Sequence, residues 1–263
     1  MYLDKFFILT VTIKTKQEIE LLRKGGKILA GILKELAAKT KTGVSALELN
    51  GLAEGLILKS GGEPAFKGYG SPPYPATLCI SVNDAVVHGI PTDDKFKDGE
   101  VVKLDIGMKW PAGKNGLFTD MAVTVTIGKI SADKKKLLRA TKKAMMLGIK
   151  QVRLGKRIGD ISSAIQKILD KEGIGIVRKL AGHGVGYEVH EDPLIPNYGK
   201  KGTGIELKEG MVLAIEVMTT LGSGDVKISS DGWTFESADG ATGAHFEHTV
   251  VVTKNGAEIL TLS

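Results

Sequence analysis

Cysteine is nearly absent: Cys79 is the only one in 263 residues. That excludes an internal disulfide framework and a zinc finger of the multi-cysteine kind. Histidine is scarce too. The five are His88, His183, His190, His245 and His248, and none precedes residue 88. No run of about 18 apolar residues occurs, so no membrane span is expected. Apolar residues make up 42% and charged residues 25%. That is ordinary for a globular chain and excludes disorder, collagen and coiled coil as the main class.

The start carries a short apolar run from Phe6 to Ile13. Threonines interrupt it, Asp4 precedes it, and no small-residue cleavage site follows. It reads as a first strand or an irregular start rather than a signal peptide. With one cysteine and no signal, a reducing, cytoplasmic setting is expected. Lys and Arg number 36 against 30 Asp and Glu, a net charge of +6. This mild excess allows nucleic-acid binding without demanding it, and no specific nucleic-acid partner is expected. The lysine run from Asp133 to Lys136 opens a helical pattern and reads as a solvated face. GHGVG does not match a dinucleotide fingerprint, and no phosphate-binding loop of the Walker type is present.

Apolar residues at Ile19, Leu22, Ile28, Leu29, Ile32, Leu33 and Leu36 have helical spacing, predicting a helix over Thr15 to Ala38. Thr15 can cap it with Glu18, and Ser45 with Glu48 opens a second helix through about Ser60. A Gly/Pro-rich loop, Glu63 to Pro75, comes next. Strands are predicted over Thr77 to Val82, Gly99 to Lys109 and Thr119 to Ile127, with PAGKNG as a hairpin loop. Helices then return at Ala132 to Arg153 and Asp160 to Glu172, followed by strands at Ile174 to Lys179, Met211 to Thr220 and His245 to Thr253.

This order is an internal repeat. LLR at Leu21 recurs at Leu137. DGEVVKLDI (Asp98 to Ile106) matches EGMVLAIEV (Glu209 to Val217), placing Asp105 on Glu216. FTDMAVTVT (Phe118 to Thr126) matches HFEHTVVVT (His245 to Thr253), placing Asp120 on Glu247. VVHGIP matches EVHEDP, placing His88 on His190. No linker separates the halves, so two related halves around one site are expected.

Each of the four acids interrupts a β-rich run, where a carboxylate is costly unless paired, hydrogen-bonded or bound to metal. The midpoint between Asp105 and Asp120 falls near Ala112 and Gly113, which predicts the two carboxylates roughly opposite each other in a hairpin. Two such carboxylates repel unless they share a proton or a cation. Four carboxylates and a histidine can hold two divalent metals about 3.5–4 Å apart. His183 is the natural nitrogen donor, because glycines on both sides let the backbone come close. His88 and His190 read as loop-borne groups facing one site from two sides. His245 and His248 flank Glu247 and cannot both share its face, so they read as structural or supporting groups.

The segments EIELLRKGGKILA, PAFKGYG, CISVNDAVVHGIP, VVKLDIG, TDMAVTV, GHGVGYEVHEDP, MVLAIEVM, DGWT and HFEHTVVVT together carry a family signature. From about Thr12 to Thr261 the chain resembles a type I methionine aminopeptidase, of the bacterial kind. The resemblance implies the α+β pita-bread fold: a curved antiparallel sheet in two repeat-related halves with flanking helix pairs. It implies an N-terminal extension over 1–11 and one catalytic domain over 12–263, with halves of about 12–130 and 131–263. Asp105 and Asp120 would hold one metal, and His183 and Glu216 the other, with Asp120 and Glu247 bridging. Glu216 would also be the general base. His190 would polarise the scissile carbonyl, and His88 would hydrogen-bond the scissile amide. Cys79, Tyr74, Trp233 and Val189 would line the methionine pocket.

The implied cofactors are two divalent ions, with Co, Mn, Fe and Zn all suited to such donors. The implied partner is the N-terminal methionine of nascent polypeptides, near the ribosome, acted on by a monomer. The chain departs from the family at Val217, usually proline, at Val189, usually aromatic, and at Ser71, usually tyrosine. Two competing readings are a Xaa-Pro aminopeptidase or prolidase, which shares this fold, and a metal-free pita-bread binding module.

Overall fold

The structure is a computed structural model and describes residues 11–262. The expected strand over Phe6 to Ile13 falls largely outside these residues. Val11 to Thr15, within them, is a non-strand strap whose Lys14 amide donates to Gly210 O (2.9 Å).

Helix α1 (Lys16–Lys39) and helix α2 (Ala46–Lys59) form where the capping boxes predict. Thr15 and Glu18 close one box, Ser45 and Glu48 the other, each satisfying two otherwise unpaired amides. α1 carries Gly26 at its closest approach to the chain end. A Cβ there would lie 2.6 Å from Leu260 O.

Strands β1 (Glu63–Pro64), β2 (Leu78–Val82), β3 (Ala85–Val87), β4 (Val101–Trp110) and β5 (Leu117–Thr126) follow. β4 is the hub of the first sheet, pairing antiparallel with β1, β2 and β5. Helices α3 (Ala132–Ile149) and α4 (Ile158–Glu172) begin the second half. α3 stops four residues before the predicted Arg153, because tight turns take over: Gln151 and Val152 donate to Gly148 O and Ile149 O.

The remaining strands are β6 (Gly175–Ile176), β7 (Ala181–Gly184), β8 (Glu191–Pro196), β9 (Val212–Thr220), β10 (Val226–Ile228), β11 (Phe235–Ser237), β12 (Gly243–Thr253) and β13 (Gly256–Ile259). The second sheet runs β13-β12-β9-β7-β8, with β6 on β9. β10, β11 and β3 make a small third sheet. All of the strand pairings are antiparallel. The predicted strand over Ile174 to Lys179 shrinks to β6.

Among the described residues the two largest apolar cores lie one in each half. One joins α1 and α2 to β2 and β4; the other joins α3 and α4 to β9 and β12. Between them β5 and β12 lie side by side, held by threonine side chains. The Thr124 hydroxyl accepts from His245 N (2.9 Å) and donates to His245 O (2.6 Å). The Thr249 hydroxyl accepts from Asp120 N (3.0 Å) and donates to Asp120 O (2.7 Å). Each hydroxyl uses its one proton and one lone pair, so four buried backbone groups are satisfied. Among the described residues no helix is long and apolar enough to cross a membrane.

Candidate metal centre and active site

The five predicted donors converge on one pocket. Asp105 stands on β4, Asp120 on β5, His183 on β7, Glu216 on β9 and Glu247 on β12. All five line the cavity together with His88 and His190. Asp105 and Asp120 are not directly opposite, however. The ladder pairs Asp105 with Ala122 and Asp120 with Gly107. The hairpin loop is the six residues Pro111 to Gly116, whose centre lies one residue beyond the assumed midpoint. The two acids are therefore diagonal neighbours on one face, still within reach of each other.

Glu216 and Glu247 do face each other directly. His183 pairs with Ala214 on β9, which sets it diagonally beside Glu216; Nε2 lies 3.4 Å from Glu216 Oε1. Two glycines allow this. A Cβ at Gly182 would lie 2.5 Å from Ala214 O, and one at Gly184 would strike Asp192 O.

The electrostatics fit a cation. Asp105 Oδ1, Asp120 Oδ1 and Glu247 Oε1 are buried with no hydrogen-bond partner. Burial pushes Asp105 up to about 7. It also raises Asp120, aided by the Asp105 charge, and Glu247, aided by the Asp120 charge. Burial pushes Glu216 the same way, but His245, His183 and His190 outweigh it and leave it below the ordinary value. Orphaned carboxylate oxygens in a dry pocket are costly, and a divalent ion resolves the cost. Oxygens of Asp120 and Glu247 and a ring nitrogen of His183 lie within 4.8 Å of one another, a spacing that can hold a metal. His183 is preset for this. Its Nδ1 lies 2.9 Å from Gly184 O, which fixes the proton there and leaves Nε2 free as a donor.

The model of metallopeptidase family M24 matches residues 20–254. A methionine aminopeptidase of Clostridium perfringens is 45% identical, over 96% of this chain and 99% of that protein. The chain belongs to metallopeptidase family M24, in its methionine aminopeptidase branch. The crystal structure of a methionine aminopeptidase from Thermotoga maritima superposes with a TM-score of 0.92 at 43% identity, covering 97% of this chain and all of that one. A prolidase from Pyrococcus furiosus is more distant, with a TM-score of 0.76 and 26% identity over 95% of this chain and 65% of that one. The fold is thus the mixed α/β, antiparallel pita-bread fold that these M24 proteins share. As an M24 metallopeptidase the chain uses divalent metal, and the pocket donors suit it.

The pocket walls of this M24 chain combine expected and unexpected residues. Tyr74, Cys79 and Trp233 line it. Tyr74 and Trp233 meet edge to face, 5.2 Å between centroids. Cys79 sits opposite Asp105 on β2, and burial raises its thiol, so it acts as a small neutral wall. Val189 is buried in the same apolar cluster but does not line the cavity. Phe66 and Tyr69 line it instead. Both come from the Gly/Pro-rich loop, and the PAFKGYG segment was their only signal. Ser71 does not line the cavity, and the Tyr69 hydroxyl lies 2.7 Å from His190 Nδ1.

His88 takes a left-handed backbone (φ 57°), and its ring packs edge-on against Phe235. Burial lowers His88 to about 4. His190 is solvent-accessible at the rim, yet the surrounding walls and His183 lower it to about 3. Both imidazoles are therefore neutral near pH 7. His245, on the face of Glu247, places Nε2 3.3 Å from Glu216 Oε2. His248 lies on the opposite face, hydrogen-bonded to Thr261 (2.9 Å).

Proposed function

We propose that this chain removes the N-terminal methionine from nascent proteins and peptides whose second residue is small. The observation that carries the reading is a buried five-donor set at the floor of a pocket walled by Phe66, Tyr74, Cys79 and Trp233. The relatives named methionine aminopeptidase support it.

Asp105, Asp120, His183, Glu216 and Glu247 would hold two divalent ions, with Co, Mn, Fe and Zn all compatible with oxygen and imidazole donors. Such ions, when bound, lower the pKa of a coordinated water and supply hydroxide near neutral pH. Glu216 is the general base, because its histidine neighbours keep its carboxylate ionised. It accepts the water's proton and returns it to the leaving amine. In the tautomer this role requires, the Tyr69 hydroxyl donates to His190 Nδ1 and the His190 proton resides on Nε2, available to the scissile carbonyl oxygen. Neutral His88 hydrogen-bonds the scissile amide and crowds the second residue. Phe66, Tyr74, Cys79 and Trp233 form the apolar wall against the methionine side chain, whose thioether suits aromatic edges.

Residues 12–263 act as one catalytic unit in this reading, with halves of about 12–130 and 131–263 that each supply two carboxylates. The enzyme works as a cytoplasmic monomer near the ribosome, where its substrates emerge. The test is methionine release from Met-Ala-Ser with added divalent metal, against cleavage of Ala-Pro. Cleavage of Ala-Pro alone would favour a prolidase. Neither activity, with no metal bound on elemental analysis, would favour a metal-free binding module.

A further inference from the structure

The strap ahead of α1 carries a lysine that the catalytic reading does not use. Lys14 directly precedes a helix cap, where a lysine ordinarily reaches into water. Here it is 3% exposed. Its Nζ lies 2.6 Å from Glu191 Oε2, and the Thr12 hydroxyl hydrogen-bonds with both groups. The other oxygen of the same carboxylate, Glu191 Oε1, accepts from Tyr187 N (2.5 Å) and Glu188 N (3.2 Å). One buried carboxylate thus joins the strap to the turn between β7 and β8.

Two further contacts surround the ammonium. It lies 4.8 Å from the centre of the Tyr187 ring, and Tyr187 donates its hydroxyl to Glu18 Oε1 (2.9 Å) in the first turn of α1. Gly186 (φ 142°) makes room for it, since a Cβ there would strike the Lys14 side chain. The turn so fixed is the one that carries the two site histidines at its ends. His183 is on β7, and His190 immediately precedes Glu191, the first residue of β8. Their rings stand 4.4 Å apart, edge to face.

A buried ion pair contributes little net stability, because desolvation offsets the attraction, but a broken one leaves an uncompensated charge. Such a pair is suited to holding geometry. We propose that Lys14 is a positioning residue for His190: through Glu191 its buried ammonium fixes the 184–191 turn so that the His190 ring faces the pocket. The proposal rests on the reading of His190 as the group that contacts the substrate carbonyl.

The test is a double-mutant cycle on the metal-loaded enzyme with Met-Ala-Ser. Lys14→Met is made in the wild-type and the His190→Ala backgrounds, and kcat and KM are measured in each. In the wild-type background kcat falls on the order of 100-fold with KM little changed, the cost expected of a misplaced group. In the His190→Ala background the same substitution changes kcat no further. Equal losses in both backgrounds, or no loss in either, overturn the proposal and leave a structural ion pair. Glu191→Gln removes the charge that the ammonium pairs with while keeping the side chain's shape; it is put through the same cycle and judged by the same outcomes should Lys14→Met fail to fold. The underlying reading fails separately: wild-type kcat in His190→Ala would remove the role of His190, and the proposal with it.

Discussion

Glu216 and Glu247 stand directly opposite each other on β9 and β12, a half-buried and a buried carboxylate in one ladder pair. Their environments push them apart. The histidines around Glu216 hold it low, while burial and Asp120 raise Glu247. Neighbouring carboxylates with opposed shifts share a proton until a cation replaces it.

Metal loading should therefore release protons, since ligating carboxylates must be ionised. Calorimetric titration of the metal-free protein with Mn or Co near pH 6.5, in buffers of different ionisation enthalpy, reads that release. Enthalpies independent of the buffer would remove the donor assignment. The same titration should raise the thermal midpoint, as for any ligand that binds only the folded state.

Removing a donor should remove activity. Asp105→Asn and Glu216→Gln each should lose at least ~100-fold in turnover of Met-Ala-Ser at saturating metal, a loss typical of a general base or a preorganised charge. Both variants should keep the fold, because each exchange preserves shape. Near-wild-type turnover by either variant contradicts its role.

The pocket wall makes a third prediction. Phe66→Ala should lower kcat/KM for Met-Ala-Ser by about 10-fold and narrow the preference for methionine over smaller first residues, since lost apolar contact is worth about 1–3 kcal/mol. Val189→Phe should not tighten the pocket. Val189 is packed behind the wall against Tyr74 and Cys79, so the larger ring overpacks the cluster and lowers stability by about 1–3 kcal/mol. Kinetics over a panel of first residues and a urea melt check the two claims.

Lys103 gives a pH prediction. It is buried on β4, donates to Asn83 O (2.8 Å), and burial lowers it to about 7 from an ordinary 10.5. Between those values the unfolded chain binds a proton that the folded chain does not, so stability rises with pH across that window. Below about 7 both states are protonated and the buried charge is a standing cost. Lys103→Met should flatten the rise between pH 7 and 10. Parallel thermal midpoints in variant and wild type would refute it.

The fold was legible where local chemistry decides structure. The Thr15–Glu18 and Ser45–Glu48 boxes set two helix starts without help from the rest of the chain. β7 was not legible, because AGHG has neither alternation nor β-branched residues; its place is set by close approach to β9. The donors were readable as acids in apolar strands, a local anomaly. Their register was off by two because it depends on loop closure at Trp110 and Leu117. Phe66 and Tyr69 enter the pocket through the path of an irregular loop, and no periodicity encodes such a path. Nothing local marks Lys14, because its partner Glu191 is distant in sequence.

The threonine clasp between β5 and β12 has a consequence for cooperativity. Two separate apolar cores could unfold in two steps, each with its own helix pair. Thr124 and Thr249 tie the two sheets at the strands that carry Asp120 and Glu247. A metal shared across that seam would bind only when both sheets are in place. The metal-loaded protein should therefore melt in one sharp transition. Without metal, the clasp, the β3–β11 pairing and the apolar contacts of Leu22 and Leu117 with Val212 and Val251 still join the halves, but the metal's bridge is lost and the transition should broaden.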